Sequence, residues 1–342
     1  MQFIEKIGIV LATYNPNLEY FEKQIQSIKQ QSWKNWVCHI VDDCSHSEYQ
    51  VGIKNIIDND PRFICHFHSH NLNHYYNFER GLKYCAQDKS ITAISLADQD
   101  DIWHDDKLKI LLKKLRSQKA VLIHSDLELI NSYDQTIHPS AWDFEGRKPH
   151  KLSHDLLLLR NVVTGCSVLF CTSLLTDVLP FPPQNKISWY HDWWIALVAS
   201  HRGKIVHIHK PLVWYRIHNA NNVGVLKDSG KIHCELLLLC RKKFKINGNS
   251  YLVHRDFSKA FYRRFKRELN ELGYTNPFDD RKLDFGWHIL KLLYKSLLVG
   301  YNSEGAALRI GVLKLIFDIQ RSYRIILYHC LKTFKSYYKN SQ

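Results

Sequence analysis

Asp98, Asp100 and Asp101 fall within four residues, directly after the apolar run Ile94-Ser95-Leu96-Ala97 and before Ile102-Trp103. Carboxylates crowded at the end of a buried strand repel one another unless a cation sits among them. A hard divalent ion such as Mg²⁺ or Mn²⁺ answers that need, because it takes one or two carboxylates and leaves its other positions to water and phosphate oxygens. Helix capping by Asp101, Asp105 or Asp106 accounts for one acid, not for three. A second carboxylate, Asp192, stands in the aromatic run Trp189-Tyr190-His191-Asp192-Trp193-Trp194. Surroundings of that kind raise the basicity of an acid, which suits a general base. Asp192 also falls where an N-cap is expected, so capping is its alternative reading.

These acids need elements to place them. Lys6 to Thr13, Trp36 to Val41, Arg62 to His68 and Ile91 to Ala97 read as strands. Amphipathic helices over Leu18 to Gln31, Glu48 to Ile57, Tyr75 to Ala86 and Lys107 to Leu115 alternate with them. Alternation of this kind makes stacked βα units and a mostly parallel central sheet. Each junction after a strand is polar: Thr13-Tyr14-Asn15, Asp42-Asp43-Cys44-Ser45, Asn71-Leu72-Asn73 and Asp98-Gln99-Asp100-Asp101. Ligands of open α/β sheets bind at that edge. A strand at Val121 to Ile123 follows, then a long surface loop over 131–160, a strand at Gly165 to Cys171, and a helix running to His201. The strand pair Ile205 to His209 and Leu212 to Ile217 ends in His218.

Neither GxGxxG nor GxxxxGK[ST] occurs, which argues against dinucleotide-dependent dehydrogenases and P-loop kinases. Diphosphate charge must then be met by metal and basic side chains. His66, His68, His70 and His74 alternate along and after one strand, and an exposed strand face explains them more simply than a metal site. The nine cysteines are odd in number and form no CxxC pair, the usage of reduced thiols in the cytosol, with Cys166 and Cys171 buried as small hydrophobes. Glu5 and Lys6 interrupt the N-terminus, so no signal peptide is expected, and no stretch is apolar enough to span a bilayer.

The net charge of +14 is unevenly divided. Residues 225–342 hold 23 Lys+Arg against 10 Asp+Glu, whereas residues 1–224 hold 24 against 23. The expected organisation is therefore an α/β domain over 1–224 and a basic helical extension over 225–342, with helices at Phe257 to Leu269, His288 to Val299 and Leu308 to Phe334. Basic helices suit an anionic membrane surface or an oligomer interface. A basic nucleic-acid- or glycan-binding protein without catalysis is the competing reading. Against the former, the charge is not interleaved with a recognised nucleic-acid motif and the acidic strand ends repel phosphate, so nucleic acid is not expected as a partner.

Thr13-Tyr14-Asn15, Val41-Asp42-Asp43-Cys44-Ser45, Asp98-Gln99-Asp100-Asp101-Ile102-Trp103, Gly165-Cys166, His191-Asp192-Trp193-Trp194 and Tyr215-Arg216-Ile217-His218 occur in that order. Together they resemble glycosyltransferase family 2, inverting enzymes of the GT-A fold, and look most like its rhamnosyltransferase-like branch. The resemblance spans about residues 6–224. It implies that Tyr14 and Asp43 hold the nucleobase, with Thr13 and Asn15 shaping that pocket. Asp98 would face ribose or metal, Asp100 would bind the metal, and Asp192 would be the catalytic base. His218 and Arg216 would approach the diphosphate.

Two departures from the family pattern are visible: Cys44 and Asn73 stand where many relatives have glycine. The implied reaction moves a sugar from a nucleoside diphosphate, dTDP-rhamnose first and a UDP-sugar second, to a hydroxyl of a glycan acceptor. That acceptor would be polyprenyl-diphosphate-linked, part of surface polysaccharide (O-antigen, capsule or lipooligosaccharide) synthesis. The protein would be cytoplasmic and peripheral on the anionic inner face of the cytoplasmic membrane.

Overall fold

Strand β1 (Lys6–Thr13) pairs in parallel with β2 (Trp36–Asp42) on one side and β4 (Ile91–Ala97) on the other. All seven residues of β2 are buried, as expected of a strand covered on both faces. Strand β3 (Phe63–Phe67) extends the parallel half next to β2. The computed structural model describes residues 5–145, 161–184, 189–218 and 249–274, with a few positions between and beyond them.

Helix α1 (Leu18–Gln30) buries Phe21, Gln24, Ile25, Ser27 and Ile28, the one-sided stripe of an amphipathic helix. Asn17 caps it, its side-chain oxygen accepting from the amides of Glu19 and Tyr20. Helices α2 (Ser47–Ile57), α3 (Asn73–Gln87) and α4 (Lys107–Ser117) complete the βα alternation. Gly81 lets α3 lie close on the sheet, since a Cβ there would stand 2.1 Å from Val10 Cγ1.

The second half of the sheet departs from expectation. Short β5 (Ile102–Trp103), β6 (Leu122–Ile130), β7 (Thr136–His138), β8 (Val168–Cys171) and β9 (Ile205–Arg216) complete a nine-stranded sheet. Its order is β3-β2-β1-β4-β8-β6-β9-β5, with β7 paired to β6. β8 lies antiparallel between β4 and β6, and β5 and β7 are antiparallel to β9 and β6, so the sheet is mixed rather than mostly parallel. Only β6 and β9 restore a parallel pair.

The residues expected as a long loop contain β7 and the short helix α5 (Ala141–Glu145). The two expected strands around Lys210 are one. A register shift opposite Ser125 and Asp126 absorbs Pro211, which lacks an amide to donate. Gly165 to Ser167 form a 3₁₀ turn ahead of β8, followed by α6 (Leu175–Val178). Helix α7 (His191–Arg202) starts after Tyr190, so Asp192 is its second residue and not its N-cap.

The chain divides into two compact units, residues 1–228 and 229–342. In the second, α8 (Asn249–Arg264) and α9 (Lys266–Glu271) stand where one helix over Phe257 to Leu269 is expected. Phe257, Phe261, Phe265 and Leu269, each four residues apart, are buried. The helices expected at 288–299 and 308–334 lie outside the described residues. Among the described residues, no helix is long and apolar enough to cross a membrane.

Candidate active site

The carboxyl ends of β1, β2 and β4 are tied together by side chains. Gln99 Oε1 accepts from Thr13 Oγ1 at 2.9 Å and from the Tyr14 amide at 2.8 Å, which joins the end of β4 to that of β1. Asn15 does the same between β1 and β2. Its amide donates to Ser45 Oγ at 2.7 Å and its side-chain oxygen accepts from the His46 amide at 2.9 Å. Asp43, almost wholly buried, accepts from Arg80 Nη1 and from the Leu72 amide, both at 2.9 Å and both on Oδ1. Among the described residues neither of these bonds uses its Oδ2.

The two departures from the family pattern keep the backbone that glycine would adopt. Cys44 has φ 70° and Asn73 has φ 71°, both left-handed. Asn73 tolerates this and caps the first turn of α3 by accepting from the Tyr75 amide. Cys44 makes no such compensating bond, and its Cβ strains the turn by about 1–2 kcal/mol.

At the end of β4, Asp98 and Asp100 line a cleft while Asp101 is wholly buried. Burial, then the charges of Asp100 and Asp192, push the Asp98 carboxyl up to about 7. Asp101 is driven well above the usual carboxylate range by burial first, then by its two acidic neighbours. Ligand atoms of Asp98, Asp101 and Cys166 lie within 4.8 Å of one another. Burial keeps the Cys166 thiol protonated, so oxygen is the donor this cluster offers. Lys107, buried against Trp103 with Nζ 3.1 Å from the ring centroid, donates to Ser95 Oγ, and burial pulls its amine well below the usual lysine range although the acids nearby oppose this. On the cleft side, His218 Nε2 stands 2.7 Å from Asp100 Oδ2. Carboxylates whose protons are held this tightly are the donor set a hard dication relieves, so the residues present fit Mg²⁺ or Mn²⁺.

Asp192 receives three donors. Asn161 Nδ2 and the Trp193 amide reach Oδ1 at 3.0 and 2.6 Å, and the Gly165 amide reaches Oδ2 at 3.0 Å. Burial nevertheless raises its carboxyl to about 6, near the operating range of a general base. Gly165 is required at its place, because a Cβ would stand 2.7 Å from His191 Nε2. His191 is fixed in turn by stacking on Phe78 at 3.7 Å.

One cleft of about 1390 Å³ is lined by Thr13, Tyr14, Asn15, Asp43, Asp98, Asp100, Asp192 and His218 together. Arg216 is the exception. Its side chain is wholly buried, donates to the Asp100 and Asn131 carbonyls, pairs with Asp134 and packs on Tyr20, while its amide donates to Asp101. It braces the acidic turn and is not among the residues that line the cleft, whereas the resemblance implies that it approaches the diphosphate. The histidines also differ from expectation: His66 is half-buried and stacked on Tyr84 at 3.6 Å, and His74 belongs to α3 and lines the cleft. Sequence reading did not single out Gln99, Arg147 and Asn161. Asn161 leaves one signal, a polar residue four places before Gly165 at the edge of a stretch without periodicity.

Residues 8–175 match the sequence model of the family described as Glycosyl transferase family 2. This stretch, just under half of the chain, is similar to the glycosyltransferase domains of that family, and the architecture is the GT-A fold of a glycosyltransferase. An uncharacterized glycosyltransferase of Nostoc sp. is 25% identical over 224 residues, 64% of this chain and 66% of its own length. The Escherichia coli protein WfgD, a UDP-Glc:alpha-D-GlcNAc-diphosphoundecaprenol beta-1,3-glucosyltransferase, is 22% identical over 57% of this chain and 70% of its own. Among solved structures, the mannosyltransferase PcManGT of Pyrobaculum calidifontis, in complex with GDP-Man and Mn²⁺, superposes with a TM-score of 0.50 at 13% identity. That alignment covers 93% of this chain and 82% of the other.

Proposed function

We propose that the protein transfers one sugar, with inversion, from a nucleoside diphosphate to a hydroxyl of a glycan acceptor. The observation that carries this reading is Asp192, half-buried, triply hydrogen-bonded and raised to about 6, in one cleft with Asp98, Asp100 and Asp43. The motif pattern favours dTDP-rhamnose as donor. A UDP-hexose is the second reading, supported by the E. coli relative, whose donor is UDP-Glc. The same relative acts on a lipid diphosphate-linked sugar, which supports a polyprenyl-diphosphate-linked acceptor here. An acceptor of that kind, with the basic balance of residues 225–342, favours a position on the anionic inner face of the cytoplasmic membrane.

Asp192 takes the acceptor's hydroxyl proton as that oxygen bonds to the anomeric carbon from the face opposite the departing diphosphate. The carbon–oxygen bond to the diphosphate breaks in the same displacement, and the nucleoside diphosphate leaves. Asp43 Oδ2 and the exposed Tyr14 ring receive the nucleobase, with Thr13 and Asn15 held in place by Gln99 and Ser45. Asp100 and Asp98 would hold a divalent metal, with His218 orienting Asp100 from its other side. Such an ion, as in the Mn²⁺ complex of PcManGT, supplies positive charge to the diphosphate.

A thermal-shift panel of dTDP-, UDP- and GDP-sugars with and without Mn²⁺ tests the donor, since a bound donor stabilises the fold. One donor should raise Tm, more strongly with Mn²⁺. The Asp192→Asn variant should keep that shift while its turnover falls about 10²–10⁴-fold, the usual worth of a general base. Undiminished turnover in the variant, or no donor in the panel that shifts Tm, overturns the reading.

A further inference from the structure

The cleft is strongly acidic. Among its described lining residues six are carboxylates, Glu19, Asp43, Asp98, Asp100, Glu145 and Asp192, and Arg147 is the sole lysine or arginine. Its guanidinium is held rather than free to swing: Nε pairs with Glu145 and Nη1 donates to Thr164 Oγ1 at 2.9 Å. The side chain is 17% exposed, and among the described residues Nη2 has no protein partner. A fixed guanidinium with an open edge, in a cavity otherwise of the opposite sign, is a seat for an oxyanion.

Position says which oxyanion. Thr164 immediately precedes Gly165, whose amide binds Asp192, and the charge of Arg147 acts on Asp192 by favouring its ionised form. Arg147 therefore stands with the base. The cleft also exceeds the roughly 300–1,000 Å³ usual for one small ligand, so donor and acceptor have room side by side.

We infer that Arg147, braced by Glu145 and Thr164, forms an acceptor subsite that binds a phosphate or diphosphate group attached to the acceptor sugar. This rests on the glycosyl-transfer reading above and adds the part of the acceptor that the cleft recognises. The donor diphosphate and the acceptor diphosphate share one chemistry, and the test must separate them.

Full-length protein with Mn²⁺ is first saturated with the nucleoside diphosphate that binds best among UDP, dTDP and GDP, which fills the donor site. Geranyl diphosphate is then titrated calorimetrically, with geraniol and inorganic pyrophosphate as controls. Wild type should bind geranyl diphosphate and not geraniol. Arg147→Gln should weaken that binding at least tenfold, Arg147→Lys should fall between, and the affinity for the nucleoside diphosphate should stay within twofold in both. Should Arg147→Gln fail to fold, Arg147→Lys carries the comparison, because it keeps the charge and loses the fork. The subsite is refuted by wild type that binds no geranyl diphosphate at millimolar concentration, by variants that bind it as wild type does, or by loss falling on the nucleoside diphosphate instead. Wild type that binds none of the three nucleoside diphosphates refutes the donor reading separately, and the geranyl diphosphate titration without nucleotide then still reads the subsite.

Discussion

Asn161 Nδ2 donates at 3.0 Å to Asp192 Oδ1 and at 2.8 Å to the Val163 carbonyl, while Asn161 Oδ1 accepts from the Val163 amide. The amide is thus clamped by its own loop, and the carboxylate it touches inherits that orientation. A donor to the charged form of an acid lowers its pKa. Removing Asn161 therefore raises Asp192 above its present value of about 6. With Asp192 as the proposed base, activity should require the ionised carboxylate, rising with pH through that value and falling below it. In Asn161→Ala the rising limb of kcat/KM against pH should move to higher pH, and kcat at pH 6 should fall more than kcat at pH 8. A purely structural role would lower both equally.

Cys44 sits in a left-handed turn that favours glycine. Cys44→Gly should raise stability by about 1 kcal/mol, the relief of the Cβ clash net of the greater freedom of the unfolded chain. Cys44→Ala keeps the Cβ and should change little. Denaturant midpoints of the three proteins decide this, and equal values for Gly and Ala would show that the turn is unstrained.

Arg216 braces the acidic turn from inside the protein, with its side chain on two carbonyls and Asp134. Arg216→Met leaves those acceptors buried with fewer donors, at a cost of about 3 kcal/mol. Unfolding midpoints should fall accordingly. Affinity for the nucleoside diphosphate, measured well below the new Tm, should hold within twofold; a tenfold loss would return Arg216 to the donor site.

His124 is fully buried beside Trp142, and burial lowers its imidazole to about 3. A folded-state pKa depressed below the unfolded value near 6.5 means that the unfolded chain binds the extra proton first. The contribution of this residue to stability is therefore whole above 6.5 and lost as pH falls toward 3. His124→Leu should narrow the gap between Tm at pH 7.5 and Tm at pH 5, and an unchanged gap would remove His124 from the acid sensitivity.

The first half of the fold is legible in the sequence because each element there carries its own signal. β1 and β4 have apolar runs with polar stops at their ends, and α1 has both its cap and its stripe. The second half is not, because β5 has two residues, β8 four, and strand direction leaves no local mark. The same contrast holds in the cleft. Asp98, Asp100 and Asp192 announce themselves by type and by place after apolar segments, whereas Asn161 and Arg147 act through loop geometry. Arg216 shows the opposite failure: two residues from His218 in sequence, its side chain is nevertheless buried against the Asp100 and Asn131 carbonyls.

Gln99 joins the ends of β1 and β4 through bonds to Thr13 and Tyr14 that exist before any donor arrives. The floor of the proposed nucleobase site is consequently a platform assembled during folding, and docking a nucleotide onto it should demand little ordering of backbone. Association should then be fast and insensitive to mild denaturant.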